Sequence, residues 1–166
     1  MSACPTWTQP SHRPRHWAVI QDPTGAHLGL WQPRGHQGYG LTNVSGAACW
    51  HELQTPDPEA ASAFYRGLFG WSLKPFERYP DGAYEIFVLD GRDVAGIQAI
   101  GADRAKVPPH WSIYFGVSDC DAAVAKCEWL GARLLAPAIE INGVGRFAHL
   151  QDPQGAVFSV IARSPG

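Results

Sequence analysis

Trp50-His51-Glu52-Leu53-Gln54-Thr55-Pro56-Asp57-Pro58-Glu59, followed closely by Phe64-Tyr65-Arg66-Gly67-Leu68-Phe69-Gly70-Trp71, carries the pattern that decides the fold. Residues 48–55 alternate in character and read as a strand. Asp57 is placed to cap a helix, Pro58 fits its first turn, and Glu59 complements the dipole. Gly67 and Gly70 bracket the helix end. Strands are expected next at 71–79, 83–89 and 94–100. The order then restarts: a strand at 111–117, a helix over 119–130 capped by Ser118 or Asp119, and Gly131 as its stop. Strands near 133–136, 140–150 and 156–162 complete it. Each half reads β-α-β-β-β, which predicts an α+β fold of paired βαβββ modules forming a curved mixed sheet around a cleft.

A second repeat lies outside that pair. Ala18-Val19-Ile20-Gln21-Asp22-Pro23-Thr24-Gly25-Ala26 agrees at six of nine positions with Ala148-His149-Leu150-Gln151-Asp152-Pro153-Gln154-Gly155-Ala156, a shift of 130 residues. Each copy reads as a hairpin, in which Asp caps the turn, Pro sets φ and Gly supplies positive φ. The rest of a module precedes only the second copy. The expected organisation is a flexible tail (1–16), an orphan hairpin (17–33), a Gly-rich linker (34–45), and a domain at 46–164 with halves 46–101 and 110–164.

Composition narrows the function. The chain has 166 residues, 45% hydrophobic and 17% charged, which excludes a mainly disordered protein. Thirteen Lys and Arg face fifteen Asp and Glu, with no basic stripe, so nucleic acid is not an expected partner. No apolar run is long enough to span a membrane and the start lacks an apolar leader segment, so a cytoplasmic protein is expected. Cys4, Cys49, Cys120 and Cys127 form no CxxC pair, and a structural or incidental role is expected for them. Gly-x-Ser-x-Gly, phosphate-loop and dinucleotide signatures are absent. Asn142-Gly143-Val144-Gly145-Arg146 reads as a hairpin loop, from which Arg146 is a candidate to meet an anion at the cleft mouth.

The decisive stretch, the repeated element order and the late Asp-Pro-x-Gly with Gly155-Ala156-Val157-Phe158 resemble the vicinal oxygen chelate superfamily. That group includes glyoxalase I, bleomycin-resistance proteins, extradiol dioxygenases and fosfomycin-resistance proteins. The resemblance covers about residues 46–164. It is strongest to tandem-module actinobacterial proteins labelled glyoxalase-like or hydroxylase, where a hairpin like 17–33 ends an upstream module.

Enzymes of that superfamily hold a divalent ion with His, Glu or Gln on the first and last strands of each half. The resemblance places those positions at Trp50, at Gly96 or Gln98, at Ser112 and at Ser159. Indole nitrogen has no lone pair to give, and hydroxyls with one amide make a poor divalent site. The reading is therefore no metal and no cofactor. His51 alternates with Trp50 and should face the other side of the sheet. A reassembled site from His51, His110 and His149 is conceivable, against surface or partly buried histidines.

Alternation puts Trp50, Glu52 and Gln54 on one strand face, Ser112, Tyr114 and Gly116 on another, and Val157, Ser159 and Ile161 on a third. The candidate ligand-binding set is Trp50, Glu52, Gln98, Ser112, Tyr114 and Ser159, and the candidate catalytic residue is Glu52. Buried beside Trp50, Glu52 would be a general base or a counter-charge; the alternative is a solvent-contacting or hydrogen-bonded carboxylate at a sheet end. Tyr114 either orients a ligand or fills the core. The expected function is binding of a small apolar or amphipathic molecule in an aromatic-lined cleft, without the metal of the family. The alternatives are a glyoxalase-, lyase- or dioxygenase-type enzyme, using a divalent metal or Glu52 as base, and a remnant without activity. A homodimer is expected, because an orphan hairpin leaves strand edges to cover.

Overall fold

In the computed structural model, which describes residues 17–33, 38–79 and 84–164, β1 (Trp17–Gln21) and β2 (His27–Trp31) form an antiparallel hairpin. The expected tail at 1–16 and residues 34–37 of the expected linker lie outside the described residues. The first half then comprises β3 (Ala48–Thr55), α1 (Pro58–Phe69), β4 (Ser72–Pro75), β5 (Tyr84–Leu89) and β6 (Arg92–Ala99). The second comprises β7 (His110–Gly116), α2 (Cys120–Trp129), β8 (Arg133–Leu134), β9 (Ile139–Ile141), β10 (Gly145–Gln151) and β11 (Val157–Arg163). A short 3-10 turn at Ala102–Arg104 lies between the halves.

The caps act as the sequence implies. Asp57 accepts from Ala60 N at 3.0 Å, and Gly70, at φ 70°, closes α1 by donating to Arg66 O. Asp119 accepts from Ala122 N at 3.0 Å, which makes it, rather than Ser118, the cap of α2. Such a cap contributes about 1 kcal/mol.

All strands after the hairpin join one mixed sheet, in the order β4-β5-β6-β3-β7-β11-β10-β8, with β9 also on β10. Its halves repeat one topology. β3 pairs parallel with β6 and β7 parallel with β11, while β3 and β7 meet antiparallel at the centre. The first and last strands of each half are thus neighbours, and the two halves face one another across the β3–β7 seam.

Alternation decides what each face does. Leu53, Phe87 and Ile97 turn towards α1 and pack with Ala61 and Tyr65. Ala148, Leu150 and Val160 turn towards α2 and pack with Cys120 and Val124. Phe87 and Leu53 are fully buried, and a side chain of that kind contributes about 2–3 kcal/mol. With one sheet face covered by helices, Trp50, Glu52 and Tyr114 are left on the other, concave face.

The hairpin packs on the first half. Ala26 is buried in the core with Leu53 and Tyr65, and Asp22 Oδ2 accepts from Tyr65 OH at 2.9 Å. Among the described residues, no helix is long and apolar enough to cross a membrane.

Two strand expectations change. The strand expected over 71–79 ends at Pro75, whose ring cannot donate to the ladder, and a turn closed by Tyr79 N to Phe76 O follows. The strand expected over 140–150 is two strands folded about Asn142-Gly143-Val144. Gly143 and Gly145 there take φ of 73° and 133°, and this is the loop predicted from its glycines.

Candidate functional site

The seam sets the site. Glu52 on β3 stands opposite Ser112 on β7, and Trp50 opposite Tyr114. The parallel neighbours place Gly96 beside Glu52 and Ser159 beside Tyr114. Over this floor lies a cleft of about 390 Å³, walled by Trp50, Tyr84, Tyr114, Phe147 and Ile161, with Glu52 reaching it from below. That volume falls in the range of small-molecule sites, roughly 300–1,000 Å³.

Glu52 is 4% exposed and held in place from several sides. Gln54 Nε2 donates to Oε1 at 3.0 Å, and Tyr114 OH donates to Oε2 at 3.1 Å. Behind Gln54, Arg104 Nη1 donates to its Oε1 at 2.9 Å. Burial pushes the Glu52 carboxyl up from the ordinary value, against the hydrogen bonds from Gln54, Tyr84 and Tyr114 and the charge of Arg104. The same burial, with Glu52 beside them, holds the Tyr84 and Tyr114 phenols well above their usual range. The carboxyl is thus buried and hydrogen-bonded beneath an aromatic enclosure rather than in contact with solvent.

The other named candidates lie differently. Trp50, Glu52 and Tyr114 line the cleft; Gln98, Ser112 and Ser159 are not among its walls. Gln98 Nε2 donates to Tyr79 OH at 2.6 Å. Ser159 is fully buried, with its Oγ 2.8 Å from His149 Nδ1. Ser112 is 1% exposed, and its Oγ has no hydrogen-bond partner among the described residues.

The four positions at which the superfamily holds its ion do not fit one here. Trp50 Nε1 is spent as a donor to Tyr84 OH at 2.9 Å. Gly96 has no side chain, and the Tyr84 phenol occupies the space a Cβ there would need. Ser112 and Ser159 offer only neutral hydroxyls, and Gln98 is turned to Tyr79. Among the described residues, no three His, Cys, Asp or Glu side chains form a cluster suited to a metal.

Nor do the histidines reassemble a site. His51 faces away from the cleft towards Tyr39, its Nε2 lying 3.3 Å from the hydroxyl. His110 Nδ1 lies 2.8 Å from Pro108 O. Burial, then the charges of Arg104 and His110, pushes His149 down to about 4, so it stays neutral. Arg146 does not reach the cleft mouth, because its guanidinium is held by Asp121 at 2.9 Å.

Sequence reading missed several wall residues, among them Tyr84, Phe147, Arg78 and Arg163. The first two carried a usable signal. Tyr84 pairs with Gln98 on the last strand of its half, and Phe147 pairs with Ile161 in the same relation. Both partners, Gln98 and Ile161, lie on strand faces already read as inward, so cross-strand pairing with those faces was the signal.

Comparison with known proteins agrees with the fold. Residues 50–161 match the family described as "Glyoxalase-like domain". CFP32 of Mycobacterium tuberculosis, provisionally named a glyoxylase, is 40% identical over 148 residues, covering 89% of this chain and 56% of its own length. DauV of Streptomyces sp. strain C5, named an anthracycline biosynthesis protein, is 37% identical over 145 residues, covering 87% of this chain and 51% of its own. The chain therefore spans about half the length of these curated relatives. Among solved structures, methylmalonyl-CoA epimerase from M. tuberculosis has the same fold at a TM-score of 0.51 and 20% identity. That match covers 71% of this chain and 88% of the epimerase. A variant of homoprotocatechuate 2,3-dioxygenase from B. fuscum matches at a TM-score of 0.50 and 16% identity, covering 71% of this chain and 32% of the dioxygenase. With its cleft, its paired halves and this match over most of its length, the chain belongs to the glyoxalase-like domain family of the vicinal oxygen chelate superfamily.

Proposed function

We propose that the protein binds a small, largely apolar aromatic molecule in the cleft between its halves, without a divalent ion at the four superfamily positions. The observation that carries this reading is the relation of wall to floor. Trp50, Tyr84, Tyr114 and Phe147 enclose the space, while the position beside Glu52 that would bear a donor is Gly96, covered by a phenol. Aromatic walls supply apolar area and ring contacts, and a few hydroxyls fix orientation. The name of DauV, which refers to anthracycline biosynthesis, supports an aromatic occupant.

The test is calorimetric titration with 2-naphthol, before and after dialysis against EDTA. A one-to-one complex indifferent to EDTA, and abolished by filling the cleft with Ile161→Trp, is expected. Absence of binding, or binding that EDTA removes, overturns the reading.

A second reading rests on Glu52 itself. A carboxyl made more basic by burial, lying under the cleft, can exchange a proton with a bound carbon acid. If so, an aryl 1,3-dicarbonyl compound will exchange its acidic hydrogen for deuterium faster with the protein than with Glu52→Gln. Equal rates remove Glu52 from any catalytic role.

A further inference from the structure

The chemistry of the cleft changes from floor to mouth. At the floor, both Glu52 oxygens accept hydrogen bonds, leaving an acceptor-rich end that would repel an anion. At the mouth stand Arg78 and Arg163, both exposed side chains on the wall. Arg78 Nη1 donates to Gly143 O at 3.2 Å, and Arg163 Nη2 donates to Cys49 O at 2.8 Å. Each guanidinium is thus steadied by a neutral carbonyl through one nitrogen, with further N–H donors to spare. Among the described residues, neither is in ion-pair distance of a carboxylate. Asp93, the other acidic residue on the wall, is taken by Lys74 at 2.7 Å. The mouth therefore carries two uncompensated cations, whereas the interior is aromatic.

We propose that the occupant is a planar aromatic anion of about two or three rings, its rings between the aromatic walls and its carboxylate at the mouth, meeting Arg78 and Arg163. This rests on the cleft reading above and names its ligand class. Polarity sets the direction of entry. A cation would be repelled at the mouth, and a buried anion would meet the oxygens of Glu52, whereas a guanidinium pairs with a carboxylate through two parallel hydrogen bonds.

The test compares 2-naphthoate with 2-naphthamide, equal in ring area and different in charge, by calorimetry at pH 7.5 and low salt. The carboxylate is expected to bind about tenfold more tightly. That advantage should shrink to about threefold or less in Arg78→Gln and in Arg163→Gln, and in the wild type as salt screens the mouth. The amide should bind all three proteins alike, which also reports that the variants are folded. Equal affinity of the two compounds for the wild type overturns the inference and leaves the cleft reading standing. Binding of neither overturns both.

Discussion

Tyr84 lies across Gly96, its phenol filling the space where any other residue at position 96 would place its Cβ. The ring also accepts from Trp50 Nε1 at 2.9 Å, so the glycine, the phenol and the indole form one wall of the cleft. Gly96→Ala must move the ring, break that hydrogen bond and open the wall. The expected cost is about 1–3 kcal/mol, as for other overpacked sites, or a melting temperature lower by several degrees. Scanning calorimetry and 2-naphthol titration check it together. An unchanged melting curve with unchanged binding would contradict the placement of Tyr84.

Glu52→Gln should make stability less dependent on pH. In the folded chain the carboxyl holds its proton above the ordinary value of 4.5, because burial disfavours the charge. As pH rises through 4.5, the unfolded chain loses that proton first, so the wild type loses stability until the folded group also ionises. The amide has no such limb. Urea unfolding should find the variant gaining on the wild type between pH 4.5 and 8, and a constant difference would refute it.

Part of this arrangement was legible in the chain itself, and the reason is local chemistry. Asp57 and Asp119 announce their helices because a carboxylate is needed where amide groups are unpaired, and alternation then separates Glu52 from Leu53 by face. Gly96 was legible only as a missing donor, since its actual use depends on a ring twelve residues earlier, on the neighbouring strand. Arg146 and the pair Arg78 and Arg163 show the same limit. All are polar residues near strand ends, and only the fold decides that Asp121 claims the first while the others reach the mouth.

His149→Asn should flatten the acid side of the stability curve. His149 remains neutral down to about pH 4 in the fold, whereas the unfolded chain takes up that proton near 6.5. Its contribution is complete above pH 6.5 and is lost as pH falls towards 4, by about 3 kcal/mol at most. This limb runs opposite to that of Glu52 and masks it in the wild type. With Glu52→Gln as the common background to remove that limb, unfolding free energies measured at pH 7 and pH 4.5 should differ less with His149→Asn than without it, and an equal or larger difference would refute the assignment.

Tyr65→Phe should loosen the N-terminal hairpin while sparing its counterpart. Asp22 and Asp152 organise similar turns: Asp22 Oδ1 accepts from Ala26 N at 3.0 Å, and Asp152 Oδ1 from Ala156 N at 2.8 Å. Asp22 differs in sending its second oxygen to Tyr65 OH, which also accepts from Trp111 Nε1 at 3.0 Å. Removing the hydroxyl leaves a buried carboxylate oxygen and an indole N–H without that partner, at a cost of about 2–3 kcal/mol. Since among the described residues β1 pairs only with β2, the loss should fall on the docking of the hairpin. Hydrogen exchange should then quicken at Trp17–Gln21 and His27–Trp31 and stay unchanged at Val157–Arg163. Equal protection in both hairpins would mean that apolar packing of Ala26 and Leu28, rather than the buried carboxylate, holds the first one down.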